Sequence, residues 1–135
     1  MRRQDWSAKL SEMILLHRSK EFSYGYHDCC LFVARCVDAM CDTHYEQQII
    51  SKYKYQSEEE ANKHIENDGG LLEMVTDFLG DPVPRAFAMP GDVVLLRDNG
   101  EAVLGIVEAH NAVAASRNGF ISVPLKYAVV AWRIN

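Results

Sequence analysis

Several things are scarce or missing in this chain of 135 residues. No apolar run is long enough to span a bilayer, which would need about 20 residues. The opening Met-Arg-Arg-Gln-Asp-Trp is basic but lacks the apolar core of a signal peptide. A protein made and kept in the cytoplasm, or delivered by a larger assembly, is the expectation. Basic charge is not in excess: the formal net charge is −5. That argues against nucleic acid and against an anionic membrane as partners. No linker, repeat or low-complexity segment divides the chain, and its length suits one domain, 1–135.

Cysteine is confined to one stretch. Cys29, Cys30, Cys36 and Cys41 all fall in a single predicted helix. Cys30 and Cys41 would lie about 16 Å apart along its axis at 1.5 Å per residue, beyond bridging distance. A bond between Cys29 and Cys30 would strain the helix. His27 and His44 with these thiols match no standard zinc spacing, so no metal and no cofactor is expected.

What is present centres on residues 22–40. An aromatic, turn-prone approach ends at His27 and Asp28. Phe32, Val33, Cys36, Val37 and Met40 then recur at spacings of three and four, one face of a helix. Asp28 suits its N-cap. Cys29 then occupies the first turn, where backbone N–H groups and the positive dipole end favour a thiolate. A nucleophile needs that environment. Burial as a small hydrophobe is the competing role for such a cysteine.

Elsewhere, Asp5–Lys20 reads as a helix capped by Asp5. Its inner face is Trp6, Leu10, Met13, Ile14 and His17, the last a cation at the helix end. Ile49–Tyr55 fits no single pattern. Ser57 with Glu60 forms a capping box for a helix to Asn67. Gly69-Gly70 stops it, and Leu71–Leu79 is a short helix ended by Gly80. From Pro90-Gly91 the character changes. Asp92–Leu96, Ala102–Glu108, Ala112–Ser116, Phe120–Pro124 and Val129–Ile134 read as strands. Asn99-Gly100 and Asn118-Gly119 are hairpin turns. The expected fold is α+β: a helical half, 1–80, followed by a five-stranded antiparallel meander, 88–135, as a curled sheet or a small barrel.

The order Phe22…Gly25…His27-Asp28-Cys29-Cys30, then Gly91-Asp92-Val93-Val94, Leu104-Gly105-Ile106-Val107 and Val123-Pro124-Leu125…Ala131-Trp132 resembles the NlpC/P60 superfamily of papain-like cysteine peptidases. The nearer likeness is to a small branch found in phages and prophages beside tail genes. The resemblance implies a papain-like fold, a nucleophile at Cys29 and action on bacterial cell-wall peptides. It also implies residence in the virion tail, with neighbouring tail proteins as partners. The superfamily's catalytic histidine falls on Val103, and its third polar residue near Ala114. Valine and alanine cannot exchange a proton with a thiol. Any base must come from elsewhere. His27, two residues before Cys29, is the leading candidate, with Asp28 fixing the helix start. His110 is expected in a turn, and His44 and His64 in solvent. Two readings follow: a cysteine peptidase or amidase acting through Cys29, or an inactive structural or binding module of the tail that keeps the fold.

Overall fold

The computed structural model describes residues 1–135. Five helices come first: α1 (Trp6–His17), α2 (Cys29–Cys41), α3 (Tyr45–Lys52), α4 (Glu58–Asn67) and α5 (Leu71–Leu79). Six strands follow: β1 (Val83–Pro84), β2 (Val93–Asp98), β3 (Glu101–Glu108), β4 (Asn111–Ser116), β5 (Gly119–Pro124) and β6 (Ala128–Trp132). They form one antiparallel sheet in the order β1-β6-β2-β3-β4-β5. The fold class is α+β, as expected. No helix is long and apolar enough to cross a membrane.

The central helix is α2. Leu31, Phe32, Val33, Ala34, Cys36, Val37 and Met40 are all buried, between α1 and α3 on its flanks and β3 and β4 beneath. Full burial of a side chain such as Phe32 is worth roughly 1.5–3 kcal/mol. This helix and its neighbours meet one side of the sheet through Val93, Leu95, Leu104, Ile106, Val113 and Trp132. The alternate residues on the other side, Val94, Leu96, Val107, Ala112, Ala114 and Ala131, are also buried.

Of the five α-helices only α2 reaches that second side, through Cys29. The side is closed by residues from both ends of the strand order: Val83 and Ala88 near β1, and Ile121, Val123 and Leu125 along and after β5. The sheet therefore curls until its two margins share a cluster. A bulge assists, since Leu95 pairs with Val130 while Leu96 pairs with Ala128. The small barrel is nevertheless excluded, because β1 and β5 are unpaired edges. β1 has two residues and ends at Pro84, which donates no ladder bond. It is also a sixth strand that the expectation of five did not include.

One local expectation is corrected. Asp5 makes no side-chain cap to α1 and pairs with Arg3 instead. Ile49–Tyr55 is divided between the end of α3 and an extended stretch. The α3 start is held by Asp38 of α2, whose carboxylate accepts from the N–H groups of Tyr45 and Glu46 at 2.8 and 3.0 Å.

Candidate functional site

The loop before α2 folds on itself. Ser23 and His27 exchange backbone bonds, N–H to carbonyl, at 2.9 and 2.8 Å. Gly25 takes φ = 81°, and a Cβ there would lie 2.1 Å from the Tyr55 carbonyl oxygen. Only glycine fits. Asp28 caps α2 as expected: one carboxylate oxygen accepts the Leu31 N–H at 3.0 Å. The other accepts the Gly25 N–H at 3.0 Å and the Tyr55 hydroxyl at 2.5 Å. One buried carboxylate thus binds the loop, the helix start and the chain after α3.

Cys29 and Cys30, both half-buried, occupy the first turn of α2 and line a cavity of about 370 Å³. Of its 31 lining residues 23 are hydrophobic, so apolar contact dominates what it can hold. Tyr24, Tyr53 and Tyr55 are among its walls. The contact with the Cys29 thiol and burial push the Cys30 thiol well above its usual range, and Asp28 adds to this. Burial and the Asp28 charge push the Tyr55 hydroxyl well up. At the mouth, Arg117 in the β4–β5 turn donates to Glu58 of α4 at 2.9 Å and to Glu101 of β3.

Val103 lines this same cavity with Cys29. Ala114 does not; it is inside the curl of the sheet, while Ala115 and Ser116 reach the cavity. The Ser116 hydroxyl donates to the Gly119 carbonyl at 2.8 Å.

His27 belongs to another group. Its ring stacks on His17 with centroids 5.6 Å apart and meets Phe32 edge-on. Arg35 Nη1 lies 3.4 Å from His27 Nδ1. None of the hydrogen bonds of His27 reaches Cys29, and His27 is not among the cavity's walls. The structure brings Asp28 and Cys29 together at the helix start and leaves the His27 ring in the α1–α2 packing. Burial and the nearby Arg35 cation push His27 below its usual range. His17 is correspondingly not a solvated helix-end cation. It is 4% exposed, and its Nδ1 has no hydrogen-bond partner. Burial, with Lys20 and Arg35 nearby, pushes it down to about 4.

His44 and His110 are exposed, as expected. His64 is not: it is half-buried, lines the Cys29 cavity, and sets its ring edge-on to Tyr53 at 5.3 Å. Its polar neighbours in sequence, Lys63 and Glu66, hid this. The signal that could have found it was the offset of three from Ala61, which puts both on the inner face of α4. No group of three or more His, Cys, Asp or Glu side chains is placed to hold a metal ion.

A family model described as a domain of unknown function, DUF6950, matches residues 1–134. The chain belongs to the DUF6950 family. Because the match takes in both the helices and the sheet, the Cys29 cavity and the curled sheet beside it lie within the DUF6950 domain. No curated protein matches the chain.

Proposed function

We propose that this protein is an NlpC/P60-like component of a phage or prophage tail, and that its Cys29 cavity binds a peptide without cutting it. The bound peptide comes from the bacterial cell wall or from a neighbouring tail protein. What supports the papain-like assignment is the order of its parts: a helix opening on Asp28-Cys29, packed on an antiparallel sheet whose long strands begin just after Gly91-Asp92. What carries the binding reading is Val103. It stands in the cavity with Cys29 at the strand position where the superfamily keeps its base, while the His27 ring is engaged with His17 and Arg35. A thiol without a base has no route for its proton or for protonating a leaving amine. The contact with Cys29, burial and the Asp28 charge together disfavour a negative charge on Cys30.

One observation favours the peptidase reading. Cys29 is in the first turn of a capped helix, faces a cavity, and shares that cavity with one histidine, His64. The two readings separate in one experiment. Purified protein and its Cys29→Ala variant are incubated with bacterial peptidoglycan, and pelleting and released fragments are measured by mass spectrometry. Equal pelleting with no fragments from either protein is the expected result. Fragments released by the native protein and lost in Cys29→Ala, with an acyl adduct trapped on Cys29, would establish catalysis and overturn the binding reading.

A further inference from the structure

The two margins of the sheet are finished differently. β1 is two residues long, ends in proline and is followed by a 3-10 turn, which blunts it. β5 runs for six residues, Gly-Phe-Ile-Ser-Val-Pro, with no charged side chain. Its pairing phase follows from the register. Gly119 pairs with Ser116, Ile121 with Ala114 and Val123 with Ala112, and the Leu125 N–H continues the series to the His110 carbonyl at 3.2 Å. Hydrogen-bonded positions alternate along an antiparallel ladder. The N–H and C=O groups of Phe120 and Ser122 therefore point away from β4, and no other backbone group takes them.

That free edge opens onto a groove. Residues 18–22, between α1 and α2, form its far wall, and Gly119 and Phe120 form the near one. Arg18, Lys20 and Arg117 line it against one carboxylate, Glu21. Arg117 is already engaged with Glu58 and Glu101. Arg18 and Lys20 are exposed and take part in no ion pair.

We infer that the outer edge of β5 is a docking site for an extended, acidic peptide segment of another protein, which adds as a seventh strand. The backbone groups of Phe120 and Ser122 supply its ladder bonds, the mode of strand addition to a free sheet edge. Arg18 and Lys20 receive its carboxylates beside the first residues of β5. A second copy of this chain is the poorer occupant. Antiparallel pairing of two β5 edges would set the basic groove of each against the other's Pro124–Tyr127, which carries Lys126, cation against cation. This surface stands whether or not Cys29 reacts, so its test is independent of the cavity.

The test uses the full chain and three eight-residue peptides of alternating threonine and valine, ending in two aspartates, two asparagines or two lysines. Affinity is read by calorimetry and amide exchange by NMR. The aspartate peptide is expected to bind at least fivefold tighter than the other two and to slow exchange at Phe120 and Ser122 at least tenfold. Ser122→Pro removes an outward N–H that β4 does not use, so it should weaken binding at least tenfold with the far-ultraviolet spectrum unchanged. Should that variant not fold, Arg18→Glu with Lys20→Glu serves, expected to weaken only the aspartate peptide at least fivefold. Three results with the peptides would overturn the inference. They are no binding at millimolar peptide, equal binding of all three, or slowed exchange that spares Phe120 and Ser122. A concentration-dependent dimer abolished by Ser122→Pro would overturn it in favour of a second copy.

Discussion

Asp28 and Asp92 are both buried, at 4% and 2% exposure, and each carboxylate accepts three hydrogen bonds, yet they are neutralised differently. Asp92 accepts the N–H groups of Met89 and Ile134 at 2.9 and 3.0 Å and the Arg2 guanidinium at 3.0 Å. Arg2 also donates to the carbonyls of Ile134 and Pro90 at 2.6 and 2.9 Å. Asp28 has only uncharged donors, from Gly25, Leu31 and Tyr55. The first is a clasp: a charge with its countercharge, tying the start of the chain to the entry of β2 and to the segment after β6. The second has no countercharge beside the cavity, where it adds to the burial that pushes the Tyr55 hydroxyl up and to the Cys29 contact and burial that push the Cys30 thiol up. The same side chain in the same burial thus does mechanical work at one end and adds charge to the cavity wall at the other.

The contrast has measurable consequences. Asp92→Ala strands a guanidinium and two backbone N–H groups, and should cost about 3–5 kcal/mol in urea unfolding. Asp28→Ala loses a cap and leaves the Tyr55 hydroxyl without its acceptor, and should cost roughly 2 kcal/mol. A larger loss from Asp28→Ala than from Asp92→Ala would break the distinction. Removing one donor is the finer cut, so Tyr55→Phe should cost about 1 kcal/mol.

The histidine pair beside Asp28 gives the most condition-dependent effect. The folded His17 sits at about 4, below its unfolded value of 6.5. Its neutral form is favoured by folding, so its contribution is complete above pH 6.5 and is lost as pH falls from 6.5 toward 4. His27 is shifted in the same direction. The loss should be on the order of 2 kcal/mol, and His17→Phe should flatten stability against pH across that window. Lys20, Arg35, Asp28 and Glu46 bear on this pair, and Arg35 keeps its own partner, Glu46, at 2.5 Å.

Legibility in the sequence followed the range of the interactions. α5 starts at Leu71 and ends at Leu79, as its flanking glycines indicated, and Asp28 caps α2 as its place predicted. Those signals lie within four residues of their effects. α3 was missed because the side chain completing its start, Asp38, comes from the helix before it. β1 was missed because two residues carry no period, and its partner Ala131 is nearly fifty positions away. At the site, Cys29 and Asp28 were legible as a capped helix start. The His17–His27 stack was not, because it joins two helices across a loop. His64 was misread because polar neighbours mask an inner-face position on a short helix.

The curl of the sheet makes side-chain size a measure of shape. Its inner side is furnished with Ala112, Ala114, Ala128 and Ala131. A Cβ on Gly105 would come within 2.9 Å of both Leu96 Cδ1 and the Val113 carbonyl oxygen. Each added carbon there must be met by a wider radius of curvature, since a packed interior does not compress. β3 and β4 carry Val103 and Ser116 to the wall of the Cys29 cavity. The bore of that cavity is therefore set from behind, by methyl groups that never touch whatever occupies it.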